Sequence, residues 1–202
     1  MNEVIIATQN AGKAKEFIRM FEPFGITVKT LLDYPELPDV EETGETFAEN
    51  ALLKAESAAR LTGRPAIADD SGIVIDALDG RPGVYSARYA GIEKNDRANN
   101  KKVLDEMKDV PAGSRSARFA CVLAVAFPDG REPIFAEGFC EGSIAFEEQG
   151  KHGFGYDPLF IPDGHDVTLA QIDPEEKNKI SHRAKALNRL RAILPELAGE
   201  AE

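Results

Sequence analysis

The sequence predicts a mixed α/β (α+β) fold containing both crossovers and hairpins. Three observations carry this. A short apolar run, Val4–Ala7, is followed at once by an asparagine and an amphipathic stretch, which is the order strand then helix. Thr46 and Glu49 form a T-x-x-E capping box ahead of a long apolar stripe. Two apolar runs, Ala117–Phe127 and Ile134–Phe146, are joined by Pro128-Asp129-Gly130, the composition of a hairpin turn.

In chain order, Val4–Ala7 reads as a buried strand. Asn10 caps a helix with Phe17, Met20 and Phe21 on one face, stopping near Pro23. Thr27–Leu32 reads as a second strand, and residues 33–45, rich in Pro, Asp, Glu and Gly, as a loop. The helix begun by Thr46 carries Phe47, Ala51, Leu52, Ala55, Ala58 and Ala59 inward and ends near Gly63. Ala66-Ile67-Ala68 and Ile73-Val74-Ile75 flank Asp69-Asp70-Ser71-Gly72, predicting a strand, a tight break and another strand. Asn95–Lys108 is a polar helix closed by Pro111, and Gly150–Gly155 a glycine-rich loop. Ser181 caps a last helix whose Ala186, Leu187, Leu190, Ile193 and Leu194 face inward, and residues 196–202 read as a disordered tail. No repeat or linker divides the chain, so residues 1–202 are expected to form one functional domain.

A length of 202 residues permits a real core, and 24 basic against 35 acidic residues leave a net charge of -11. So acidic a surface repels nucleic-acid backbones, which argues against DNA or RNA as partner. No apolar stretch approaches the roughly 18 residues needed to cross a bilayer. No basic leader precedes the first strand. Together with Cys121 and Cys140, which belong to no C-x-x-C pair, this leads us to expect two free thiols in a reducing cytoplasm.

Four groups of residues could carry chemistry. Thr8-Gln9-Asn10-Ala11-Gly12-Lys13 lies between a strand and a helix, where backbone N–H groups and the helix dipole favour an anion. It lacks the first glycine of a P-loop, and an asparagine cap beside a solvated lysine is the plain alternative. Glu41-Glu42 and Asp69-Asp70 supply carboxylates of the kind magnesium takes alongside phosphate oxygens and water. In extended chain only one member of each pair can face a given site. Asp70, ahead of Ser71-Gly72, could bind metal, orient water or accept its proton. Gly153-Phe154-Gly155-Tyr156-Asp157 offers an aromatic face for a base and a carboxylate for a base or sugar. Lys177 with Ser181-His182-Arg183 places cations at a helix start, against the dipole, which suggests an anion or electron-rich acceptor there. Lys54, two turns into its helix, could reach a phosphate. No Gly-x-Ser-x-Gly elbow and no zincin motif is present.

In this order the segments resemble one family closely: Ala7–Lys13, Glu41–Gly44, Thr46–Ala51 with Lys54-Ala55, Ala68–Gly72, Pro82–Tyr89, Gly153–Pro158, Glu176-Lys177 and Ile180–Arg183. The chain is similar to the inosine/xanthosine triphosphate pyrophosphatases, the non-standard purine NTP pyrophosphatases, over residues 4–194. The resemblance implies an elongated, two-lobed fold around a central mixed β-sheet with flanking helices, an active-site cleft between the lobes, and a homodimer. It implies Mg2+-dependent hydrolysis of ITP, dITP and XTP to the monophosphate and pyrophosphate, removing these nucleotides before they enter DNA or RNA. Thr8–Lys13 would hold the triphosphate, Glu41 and Asp70 the metal, with Asp70 accepting the proton of the attacking water. Lys54 would stabilise charge on the phosphates and Ser71 would touch substrate. Phe154–Asp157, Lys177, His182 and Arg183 would form the base pocket. Hypoxanthine and xanthine present O6 beside N7, two acceptors suited to Arg or Lys donors, whereas adenine presents an amino donor. Two other readings use the same residues: a nucleotide-binding regulatory module without turnover, and a pyrophosphatase for other modified nucleotides.

Overall fold

In the computed structural model, the described residues are 3–35, 37–38, 40–91 and 95–193. Leu194 and the tail expected at residues 196–202 lie outside them. The elements in order are β1 (Glu3–Ile6), α1 (Ala11–Phe21), β2 (Thr27–Thr30), α2 (Phe47–Thr62), β3 (Ala66–Ile75), α3 (Asp96–Glu106), β4 (Ser116–Ala126), β5 (Ile134–Ile144), β6 (Phe160–Pro162), α4 (Pro174–Ile180) and α5 (His182–Ile193). The six strands form one mixed sheet in the order β2-β1-β3-β4-β5-β6. β1 runs parallel to β2 and to β3, while β5 and β6 are antiparallel. The fold is therefore mixed α/β, as expected.

Two compact units divide the chain: residues 1–70, 121–138 and 183–202, and residues 71–120 and 139–182. In the first unit the period of two along each strand sorts side chains onto opposite faces. Val4 and Ile6 of β1, Ile67 of β3, and Cys121, Leu123 and Val125 of β4 pack with Phe17, Met20 and Phe21 of α1 and Ala184, Leu187 and Leu190 of α5. Ile5 and Ala7, Ala66 and Ala68, and Ala124 and Ala126 pack with Ala51, Ala55, Ala58 and Ala59 of α2. Alanine on both sides of that second layer lets α2 lie close against the sheet. The α2 ends are set as the sequence implies. Thr46 accepts from the Glu49 N–H, Glu49 accepts from the Thr46 N–H, and Gly63 closes the helix with φ of 66°.

The second unit gathers Ile73 and Ile75, Val103 of α3 and Met107 that follows it, Ala117 and Phe119 of β4, Cys140 and Ile144 of β5, and Tyr156, Leu159, Phe160 and Leu169. Arg115, 2% exposed, is spent on backbone carbonyls there. It donates to Ile144 at 2.8 Å, Met107 at 2.8 Å, Val110 at 3.0 Å and Ala145 at 2.9 Å. It thereby closes the exit of α3 onto the end of β5.

Three elements differ from expectation. β3 is continuous, with no break at Asp70-Ser71-Gly72. The strand stays extended because both aspartates find cations where they are, and because Ser86 Oγ accepts the Ile73 N–H at 2.9 Å. β2 ends at Thr30, not Leu32, because Asp33 accepts the Thr30 N–H at 2.8 Å and turns the chain into a single 3-10 turn. A short helix, α4, precedes the last one; its signal was Asp173-Pro174, an N-cap followed by proline in the first turn. Cys121 and Cys140 are buried free thiols, as expected.

Replacing Arg115 by methionine keeps roughly the volume but removes its hydrogen bonds to four carbonyls, three of them in buried bonds. We expect a loss of about 3–5 kcal/mol, read as a fall in the urea midpoint at unchanged slope.

Candidate active site

The first unit concentrates charge around the two aspartates of β3. Asp69 and Asp70 are 1% and 5% exposed. They occupy successive positions of one strand, so they leave it on opposite faces. Asp69 follows the Ile67 face, towards α1 and α5. Its Oδ2 lies 3.1 Å from Lys13 Nζ and accepts from Arg183 Nε at 3.2 Å. Asp70 follows the Ala68 face, towards α2, and its Oδ1 accepts from Lys54 Nζ at 2.9 Å. Lys54 also donates to Glu42 at 2.7 Å, and Arg183 to Glu16. Glu16 carries no sequence motif; its signal was an acid beside Phe17 on the buried side of α1.

Burial alone would raise the Asp69 carboxyl, but Lys13, Arg183 and Lys54 outweigh it and hold the group well below the usual carboxylate range. Asp70 moves the other way: burial pushes it up, and Lys54 and Lys13 offset this only in part. Burial would lower the Lys54 ammonium, but Asp70, Asp69 and Glu42 together raise it. Burial would likewise lower Arg183, which Glu16 and Asp69 reverse, so its charge is fixed at any accessible pH.

The loop before α1 is built as a cap. Asn10 Oδ1 accepts from the N–H groups of Gly12 and Lys13 at 2.8 and 3.0 Å, and the Asn10 N–H donates to Thr8 Oγ1 at 3.1 Å. Gln9, Asn10 and Ala11 are exposed, and Thr8 is buried at 7%. Ser71, half-buried, follows Asp70 within β3.

Of the acidic loop pair, Glu41 is exposed. Glu42 is the member whose carboxylate converges with Asp70 on Lys54. Asp70 Oδ2 is buried and makes no hydrogen bond. Among the described residues no group of three or more His, Cys, Asp or Glu side chains forms a cage for a metal. One or two carboxylates are what magnesium takes when phosphate and water complete its shell, so Asp70 with Glu42 fits that ion.

In the second unit, Asp157 organises the aromatic loop. Its Oδ2 accepts from the Phe154 N–H at 2.8 Å and from Lys177 Nζ at 2.6 Å. A Cβ on Gly153 would stand 2.0 Å from that same oxygen, so only glycine fits there. Lys177 Nζ lies 5.0 Å from the Phe154 ring centroid, a cation–π approach. Tyr156 donates to the Ser86 carbonyl at 2.7 Å. His182, 3% exposed, stacks on Phe119 with centroids 4.7 Å apart and planes 10° from parallel. Lys177 is not at a helix start. It lies in the last turn of α4, where a cation suits the dipole. His182 and Arg183 do open α5.

Comparison with known proteins shows the family to which the chain belongs. The Ham1 family model matches residues 4–193. The chain belongs to the Ham1 family. The dITP/XTP pyrophosphatase of Oceanobacillus iheyensis is 59% identical over 191 residues, covering 94% of this chain and 96% of that protein. The dITP/XTP pyrophosphatase of Geobacillus kaustophilus is 56% identical over 199 residues, covering 98% and 97%. Among solved Ham1 structures, the HAM1 protein of Coxiella burnetii matches with a TM-score of 0.85 at 44% identity, over 97% of this chain and 100% of that one. Among the described residues of this Ham1 chain no helix is long and apolar enough to cross a membrane.

The depressed Asp69 predicts a pH signature. Its stabilisation is full above the unfolded carboxyl value, near pH 4, and fades as pH falls towards the lower folded value. Asp69→Asn should lose about 3 kcal/mol at pH 7, with the gap to the native protein narrowing below about pH 4. Urea unfolding of both proteins at pH 7 and pH 3 checks this, and a gap independent of pH contradicts it.

Proposed function

We propose that this chain hydrolyses purine nucleoside triphosphates carrying a non-standard base, ITP, dITP and XTP, to the monophosphate and pyrophosphate. The observation that carries the reaction is Asp70: a buried carboxylate with one oxygen held by Lys54 and the other making no hydrogen bond. Membership of the Ham1 family, with dITP/XTP pyrophosphatases at 59% and 56% identity, supports the substrate class.

Asp70 Oδ2 orients the attacking water and takes its proton. Lys54 fixes the other oxygen of the same carboxylate, so the accepting oxygen cannot rotate away. Lys13 and the N-terminus of α1 receive the triphosphate, and with Lys54 they stabilise charge moving onto the pyrophosphate. Magnesium, which the family resemblance implies, would be held by Asp70 and an acid of the Glu41-Glu42 pair and would reduce the charge at the phosphorus under attack. Glu42 is our choice from that pair, in place of the Glu41 expected from resemblance, because it already shares Lys54 with Asp70. Ser71 contacts substrate beside Asp70. We assign base recognition to Phe154, Gly155, Tyr156, Asp157, Lys177, His182 and Arg183, with Phe154 as the stacking face. The whole chain acts as one catalytic domain, as a homodimer in the cytoplasm, where buried free thiols persist.

The first test is pyrophosphate release from ITP, XTP, dITP, GTP and ATP, with and without magnesium. Fast, magnesium-dependent release from the first three and little from the others is expected. Release from none would leave a regulatory nucleotide-binding module as the better reading. Asp70→Asn should remain folded and lose about 10³-fold or more in kcat. Glu42→Gln should raise the magnesium concentration needed for half-maximal rate far more than Glu41→Gln; the reverse order would return the metal to Glu41.

A further inference from the structure

One residue of the aromatic loop, Gly155, is gripped through both of its backbone polar groups by α3. Gly155 donates its N–H to Asp96 Oδ2 at 2.7 Å, and its carbonyl accepts from Asn100 Nδ2 at 3.2 Å. Asp96 and Asn100 are one turn apart on α3, so one helix face holds both polar groups of the residue between Phe154 and Tyr156. Gly155 has a φ of 61°, and no atom lies within 4 Å of where its Cβ would be. The two hydrogen bonds to α3 hold this peptide.

Asp96 is exposed, and a first-turn aspartate usually spends itself on its own helix. Here Asn95 already caps α3, its Oδ1 accepting the Ala98 N–H at 3.0 Å. Asp96 is thereby released for a bond to a loop 59 positions away. On the C-terminal side the loop is anchored by buried Tyr156 and Asp157. Phe154, half-buried, sits on the other side of Gly155, its N–H and carbonyl held by Asp157, so the Gly155 peptide completes the backbone frame that carries the Phe154 ring.

We infer that Asp96, with Asn100, is a positioning residue for the purine base: it fixes Gly155 and, through it, the aromatic face offered to the substrate. The inference rests on the reading that Phe154–Asp157 recognises the base. Asp96 touches no substrate itself.

The test compares Asp96→Ala, Asp96→Asn and Phe154→Ala in steady-state pyrophosphate release from ITP at saturating magnesium, with thermal unfolding of each and inhibition by pyrophosphate, a probe that carries no base. Asp96→Ala should raise the KM for ITP about 5- to 10-fold with kcat within about twofold, the pattern of lost ground-state binding. Its inhibition by pyrophosphate should be unchanged. Asp96→Asn keeps an acceptor and should restore KM close to the native value. A KM unchanged by Asp96→Ala but raised by Phe154→Ala overturns the positioning role and leaves the base reading standing. A KM unchanged by either variant overturns the base reading and the inference with it. A fall in kcat with weaker pyrophosphate inhibition and a lowered Tm marks a merely structural aspartate and also overturns the inference, as does a KM that Asp96→Asn fails to restore.

Discussion

The first unit is organised by the need to bury two adjacent carboxylates in one strand. An ionised carboxylate in an apolar interior costs several kcal/mol unless it is paired and hydrogen-bonded. Because Asp69 and Asp70 are neighbours in an extended strand, one partner cannot serve both; cations must arrive on both faces of the sheet. Lys13 and Arg183 arrive on one face and Lys54 on the other. This requirement ties α1, α5 and α2 to a single register of β3. A slip of one residue would turn Asp69 towards the alanine layer of α2 and Asp70 towards Phe17 and Leu187, exchanging every partner. The ion pairs add little net stability over an apolar core of the same shape, but they specify which arrangement is the folded one.

The same constraint sorts the chemistry. Asp69 is paired with two cations and stays ionised, so it serves as a fixed counter-charge for Lys13 and Arg183. Asp70 is paired with one cation, shared with Glu42, and burial pushes its carboxyl up. Two identical side chains in adjacent positions thus acquire different roles from their surroundings, and the less satisfied one is the candidate for work on substrate. The second unit uses a different device. Its buried Asp157–Lys177 pair holds a loop rather than a strand, and glycine at position 153 is what lets the carboxylate lie against the backbone.

Much of this was legible in the sequence where a local rule acts alone. The Asn10 cap, the Thr46–Glu49 capping box, the Gly63 stop and the Pro128-Asp129-Gly130 turn each depend on a few neighbouring residues. The α2 alanine stripe was legible as a buried face because its period is regular. What was missed depends on partners distant in sequence. The Asp-Asp-Ser-Gly run looked like a break because acids in an apolar strand are costly; no local signal announces the cations of α1, α2 and α5 that keep it extended. Lys177 was read as part of the helix start at Ser181 because the short α4, seven residues long, was not separated from α5. Glu42 could not be chosen over Glu41 by pattern, since the choice rests on which side chain reaches Lys54. Asp96 stood in an ordinary polar helix start, and its bond to Gly155 lies 59 positions away.

The charge balance near the aspartates explains how a protein of net charge -11 can take a polyanion. Long-range steering opposes such a substrate, so affinity must be local. Yet the three cations Lys13, Lys54 and Arg183 already face the four carboxylates Glu16, Glu42, Asp69 and Asp70. The cluster has no surplus positive charge to spend on a triphosphate. Its cations can turn to phosphate only if the carboxylates they leave are satisfied in another way. A divalent ion held by Asp70 and Glu42, as proposed above, would satisfy the Glu42 carboxylate in that way, leaving Lys54 on Asp70 Oδ1 with donors to turn to the phosphates. Built this way, an acidic protein would take a triphosphate together with its divalent ion in preference to the bare polyanion.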